Sequence, residues 1–203
     1  MLKKISDLIY IFWCNFFGKI ILRMNGVDFG DGLRLYGIPI ISLAKNSSIR
    51  IGKNVVLCSN SKFTALGVNH PVVIRTLQPG ASVYIGDDVG ISGGSICSAK
   101  SIYIGDRVLI GANVSIFDND FHPVSIIGRR YYSGFGDVGV KSVSLGRDVF
   151  VGTGAIISKG VVIGDGSVIG AGSVVTGVVA SEEIWAGSPA RKLKKIIKVG
   201  ENA

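Results

Sequence analysis

The chain contains two histidines, and each stands directly before a proline. One lies in Leu66-Gly67-Val68-Asn69-His70-Pro71, the other in Asp118-Asn119-Asp120-Phe121-His122-Pro123. Histidine ordinarily titrates near neutrality, so either ring could exchange a proton with a substrate; the plain alternative is a turn former ahead of a proline. Two carboxylates, Asp118 and Asp120, closely precede His122, and Arg129-Arg130-Tyr131-Tyr132 follows it. Tyrosine rings stack on sugar faces and guanidinium groups pair with carboxylate or phosphate. A solvated loop tip is the competing reading of those four residues. Metal chemistry finds little support, because Cys14, Cys58 and Cys97 are widely spaced, form no CxxC pair and are joined by only two histidines. The same odd, scattered cysteines argue against a disulfide framework and suit a reducing cytoplasm.

These residues interrupt a strong internal period. An aliphatic residue recurs every six positions in Leu145, Val151, Ile157, Ile163, Ile169 and Val175, and Gly follows four of the six, at 146, 152, 164 and 170. The positions four after an aliphatic are Val149, Ala155, Val161, Ser167 and Ser173, all small or β-branched. The same grammar runs through Ile85-Gly86, Ile91 and Cys97, then Ile104-Gly105, Ile110-Gly111 and Ile116, with a weaker copy from Ile51-Gly52. A period of six drifts around a 3.6-residue helix and does not match the two-residue alternation of a simple strand. The chain must therefore turn a corner every six residues. Three corners make a coil of a triangular prism, with backbone bonds running between stacked coils. Glycine after the aliphatic is expected where side chains crowd the corner or where φ is positive.

The expected fold is all-β: a left-handed parallel β-helix at 26–180, with an amphipathic helix at 1–25 before it and a basic cap at 181–203 after it. Its two period-breaking insertions, 59–80 and 117–141, hold the two histidines, and loops are where function is usually attached. A short strand or helix in the tail would close the last coil, as solenoids require.

The hexads, the Asp-Asn-Asp-Phe-His-Pro loop, the Ile-Gly-Ala-Gly-Ser-Val-Val-Thr run at 169–176 and Ala-Gly-Ser-Pro-Ala-Arg at 186–191 resemble the hexapeptide-repeat acyltransferases. The resemblance spans roughly residues 50–196 and is to the branch similar to maltose, galactoside and polysaccharide O-acetyltransferases. It implies acetyl transfer from acetyl-CoA with no metal. His122 would be the general base that takes the acceptor hydroxyl's proton, and Asp118 or Asp120 would orient its ring. It further implies that the pantetheine arm lies along the late coils near Phe150, Thr153, Ala171 and Thr176. Where relatives often carry a Lys this chain has Gly177, leaving Arg191 and Lys194 to meet the donor's phosphates. His70, Arg129, Arg130 and Tyr131 are candidates for the acceptor. Relatives acting on simple sugars use polar residues where this chain has Ile91, Gly93 and Ala99, a departure from their pattern on the acceptor side. A homotrimer with sites between subunits is also implied.

The O-acetyltransferase acting on a carbohydrate hydroxyl (a polysaccharide, a lipid-linked glycan or a sugar) leads the readings. N-acetylation of an amino sugar and a non-catalytic β-helix scaffold are the alternatives. A γ-type carbonic anhydrase would need three histidines. The net charge of +8 concentrates at the two ends, without any nucleic-acid motif beside it, so no nucleic-acid partner is expected. At the start, Ile5, Leu8, Ile9, Phe12, Trp13, Phe16, Phe17, Ile20 and Ile21 form an almost complete apolar surface behind Lys3 and Lys4, interrupted by Asp7, Asn15 and Lys19. That run reads as too short for a comfortable span. It packs on the domain or a sister subunit, or it lies peripherally on the inner membrane face of an otherwise cytoplasmic protein.

Overall fold

The computed structural model of the chain describes residues 2–124, 127–132 and 134–197, so Lys198 of the basic end and the last part of the expected cap lie outside it. Its short strands stack into three sheets of seven, eight and six strands. The first face includes Ser48–Ile51, Ser82–Ile85, Ser101–Ile104, Val143–Leu145 and Val162–Ile163. The second includes Val56–Cys58, Gly90–Ser92, Leu109–Ile110, Phe150–Val151 and Val168–Ile169. The third includes Val73–Thr76, Ser95–Ser98, Ser115–Phe117, Ile156–Ile157 and Val174–Val175. Each strand pairs in parallel with its counterparts one coil before and after; Phe150, for example, is in register with Leu109 and Val168. The fold is a left-handed parallel β-helix.

Its core is the axis of the prism. Leu145, Val151, Ile157, Ile163, Ile169 and Val175 are all buried there, beside the smaller Val149, Ala155 and Val161. Ser167 and Ser173 are buried too, and their hydroxyls are used: Ser167 donates to the Ala180 carbonyl at 2.7 Å and Ser173 accepts from the Gly187 amide at 3.1 Å. Both bonds reach toward the C-terminal segment.

Crowding, not backbone sign, explains the glycine after each aliphatic. A Cβ at Gly105 would stand 2.7 Å from Gly146 backbone atoms, and one at Gly152 would stand 2.5 Å from the Ala171 nitrogen. Positive φ falls two residues later, on Asn54, Asp88, Arg107 and Asp148 at 56–58° and on Gly154 and Gly172 at 66°. Asn and Asp tolerate that left-handed region better than most residues. Along the same edge, Asp87, Asp106 and Asp165 each accept a backbone N–H from the preceding coil at 2.7–2.9 Å.

Two details differ from the sequence expectation. Ile96, not Cys97, fills the interior position of its coil, because Gly93 and Gly94 both adopt positive φ and shorten that corner by a residue; Cys97 faces outward, paired with Phe117. Val73–Thr76 is a coil strand, so the first excursion occupies 59–72 rather than 59–80.

Both ends are closed. The helix Leu2–Met24 lies across the first coil with Cys14 and Leu22 buried, and it approaches closely at Gly18, where a Cβ would stand 2.5 Å from Leu35 Cδ1. The Asn15 amide accepts from Leu35 N and donates to Leu35 O, both at 3.0 Å, satisfying the open sheet edge. At the other end Ala190–Lys195 pairs antiparallel with Glu183–Gly187, so the terminal element is a strand. There Lys192 and the Trp185 indole N–H both bond Glu183 and hold its carboxyl below the ordinary value.

Candidate active site

The insertion that carries His122 leaves the edge between the third and first faces, after Ser115–Phe117, and returns at Val143. Its neck is pinned shut. Asp118 is buried and accepts from Ser98 Oγ at 2.8 Å, Ala99 N at 2.6 Å and Lys100 N at 2.8 Å, closing the corner of the coil before it. The Lys141 amide donates to the Asp118 carbonyl, and Asn119 bridges Val140. Asp120 carries an ion pair with Lys159, which comes from the next coil on the same edge. Neither carboxylate is therefore engaged with His122; Asp118 builds the coil corner and Asp120 anchors the loop. Phe121, at φ 59°, turns the chain, and the His122 side chain emerges exposed, with no hydrogen bond to its ring from any described residue. Arg129 folds back to donate to the Pro123 and Val124 carbonyls, so its guanidinium braces the loop. Arg130 lies over the Tyr131 ring at 5.9 Å, both exposed, and the Tyr132 hydroxyl accepts from the Asp137 amide at 2.9 Å. Ser125, Ile126 and Ser133 of this insertion lie outside the described residues.

The positions expected to meet the donor fall mostly elsewhere on the prism. Phe150 is exposed on the second face between Leu109 and Val168. Thr153 and Ala171 sit at the edge between the second and third faces, where Thr153 Oγ1 donates to the Ala112 carbonyl at 2.7 Å. Arg191 and Lys194 are exposed on the strand that ends the second face. Thr176 alone shares the His122 edge. A Cβ at Gly177, beside it, would meet no atom within 4 Å, and the backbone there has no positive φ, so a side chain fits.

The first excursion folds against the edge between the second and third faces. The Asn69 amide donates to Asn113 Oδ1 at 2.7 Å, and Gly93 leaves space for Val68, whose side chain a Cβ there would approach to 2.8 Å. Its residues Thr64, Ala65 and Leu66, with Ser92 and Ala112 from the coils, line a shallow hollow of about 190 Å³. His70 stays exposed, its Nδ1 2.7 Å from the Pro71 carbonyl oxygen. Ile91 and Ala99 are buried, so neither presents a side chain to an acceptor; Ser92, one residue on, does face the hollow.

The two histidine loops thus lie on different edges of the prism. Within one chain the His122 edge is opposite the second face, which bears Phe150, Arg191 and Lys194. Lys159, Ser92 and Asn113 carry no signal in the sequence because each sits at an unremarkable position of its repeat; only the stacking of coils brings them to the loops.

Residues 142–177 match the family described as bacterial transferase hexapeptide (six repeats), and residues 82–118 match the hexapeptide repeat of succinyl-transferase. An uncharacterised protein of Dictyostelium discoideum is 30% identical over 158 residues, covering 70% of this chain and 63% of that protein, so the chain spans less than two thirds of this relative. Among solved structures, a single-site variant of AntD from Bacillus cereus is similar at a TM-score of 0.59 and 22% identity, covering 89% of this chain and 90% of that one. AntD is an N-acyltransferase, there in complex with dTDP-4-amino-4,6-dideoxyglucose and coenzyme A. A maltose O-acetyltransferase from Clostridium difficile aligns at a TM-score of 0.45 and 24% identity, over 95% of this chain and 89% of its own. Both matched stretches carry hexapeptide repeats, and the coil stack around them has the left-handed β-helix fold seen in these acyltransferase structures.

Proposed function

We propose that the protein transfers an acetyl group from acetyl-CoA to a hydroxyl of a carbohydrate, whether polysaccharide, lipid-linked glycan or sugar, with His122 as general base. One observation carries this reading: a loop anchored by Asp118, Asn119 and the Asp120–Lys159 pair holds an exposed histidine whose ring has no described partner. A turn histidine would not need so rigid a neck. The free ring nitrogen takes the hydroxyl proton as the acceptor oxygen bonds to the thioester carbonyl carbon. The C–S bond then breaks, and the departing thiolate recovers that proton from the imidazolium.

The donor fits the edge between the second and third faces. Ala112, Thr153 and Ala171 follow one another there, and their small side chains leave a path for an extended arm, with Arg191, opposite Ala186, near its end and Lys194 farther along the same strand. Because His122 lies on the edge opposite the second face, the thioester and the base come from two copies of the chain, as a homotrimer would arrange. The hollow beside the His70 loop then lies on the acceptor side. An amine acceptor is the second reading, favoured by AntD, an N-acyltransferase with which this fold aligns over most of its length. The same histidine serves either nucleophile.

Calorimetric titration with acetyl-CoA, followed by thiol release in the presence of sugars bearing hydroxyl or amino groups, tests the proposal. Micromolar binding weakened by Arg191→Ala establishes the donor. His122→Ala is expected to keep donor affinity and lose about 10²-fold or more in turnover. No binding at millimolar donor would turn the fold into a scaffold, and an unchanged rate in His122→Ala would remove the base.

A further inference from the structure

We propose that the N-terminal helix docks the protein on a bilayer rich in anionic lipid, lying in the plane of the membrane with the prism standing on its first coil. The helix uses one face to close the prism and leaves the other apolar. Ile9, Phe12, Trp13, Phe16, Ile20 and Met24 point outward, with Phe12 62%, Trp13 49% and Phe16 52% exposed. Phe12, Trp13, Phe16 and Phe17 pack ring on ring at 5.2–6.4 Å, so the surface is a preformed aromatic sheet rather than scattered side chains. A patch of this kind on a soluble surface marks an interaction site.

Charge selects the partner. Lys4, Lys19 and Arg23 lie along the helix, while its single carboxylate, Asp7, is paired with Lys62 of the first excursion. Aromatic and aliphatic residues flanked by basic ones match the boundary between acyl chains and anionic headgroups. A two-fold contact between helices of two copies would instead set these cations against their own kind.

By length and composition alone the helix from Lys4 to Met24 could cross a membrane, an 18-residue window of it reaching a mean hydropathy of 1.5. Its attachments oppose a span. The paired bonds between Asn15 and Leu35, the Asn60 amide donating to the Tyr10 hydroxyl at 2.9 Å, the Tyr10–Phe63 stack and the Asp7–Lys62 pair all bind it to the prism, and crossing would break every one. Lying flat keeps them and buries only the free face.

Co-sedimentation of the full chain with phosphatidylcholine vesicles, with and without phosphatidylglycerol, tests this. The expected result is pelleting with the mixed vesicles, little with phosphatidylcholine alone, and release by salt or an alkaline wash. Trp13→Glu with Phe16→Glu should weaken binding roughly tenfold or more, with melting temperature and light-scattering mass unchanged. Lys4→Gln with Lys19→Gln should weaken it several-fold on the anionic vesicles only. No pelleting with either vesicle would overturn the proposal. So would a fall in light-scattering mass for the Trp13, Phe16 variant, which would mean that a second copy covers the face, and so would retention after the alkaline wash, which would mean that the helix spans.

Discussion

Asp118 and Asp120 precede the same histidine in sequence and do different work in space. Asp118 is spent on three donors of the previous coil, and Asp120 reaches Lys159 of the next. The pairing makes Lys159 a positioning residue for the His122 loop. Lys159→Met is expected to lower kcat roughly tenfold and leave acetyl-CoA affinity nearly unchanged, since misplacing a base costs rate rather than donor binding. Equal kcat in wild type and variant would remove that role. Gly177 is the opposite case, a position with room and no partner. Gly177→Lys should leave the melting temperature unaltered and tighten acetyl-CoA binding several-fold by titration, because a cation there can meet a phosphate; unchanged or weaker binding would separate this edge from the donor. The loop that carries His122 was legible as a break in the period. Its supports were not, since Lys159 is far from it along the chain.

The six-residue period made the coil legible because a buried aliphatic and a small neighbour must recur at every face of a narrow prism. What it left open was why glycine follows the aliphatic, and the answer is the close approach of the next coil's backbone. Gly152→Val is therefore expected to cost about 1–3 kcal/mol by chemical denaturation, as overpacking does. A loss under about 0.5 kcal/mol, the level of an ordinary surface change, would contradict the crowding argument. The period misled at Cys97, where two left-handed glycines drop one residue from the corner and pass the interior position to Ile96. It also ran the first excursion too long, because Ile74 of Val73–Thr76 falls out of step with the six-residue count that starts at Ile51 and Leu57.

In the whole molecule, both prism ends are sealed by elements outside the repeat, the N-terminal helix and the hairpin of Glu183–Gly187 with Ala190–Lys195. The sides remain open to a partner. If the base and the donor channel come from different copies, two inactive variants should rescue each other. Mixed assemblies of His122→Ala and Ala171→Glu are expected to regain a measurable fraction of activity, while each alone stays low, and light scattering should give the mass of three chains. A fully inactive mixture of confirmed mixed assemblies would mean that one copy carries the entire site.

The sequence by itself determined the coil, the interior side chains apart from Ile96, the presence of two interruptions and the histidine motif, because each follows from a local period or its failure. Tertiary structure alone decided which edge each interruption occupies. Successive coils gain or drop residues at their corners, and such changes accumulate before a loop is reached. They put His122 opposite the second face, bring Lys159 to Asp120 and set Asn113 under Asn69. The same holds for the N-terminal helix, whose apolar residues surround it almost completely. Only packing against Leu35 chose the face that closes the prism and the face that remains free.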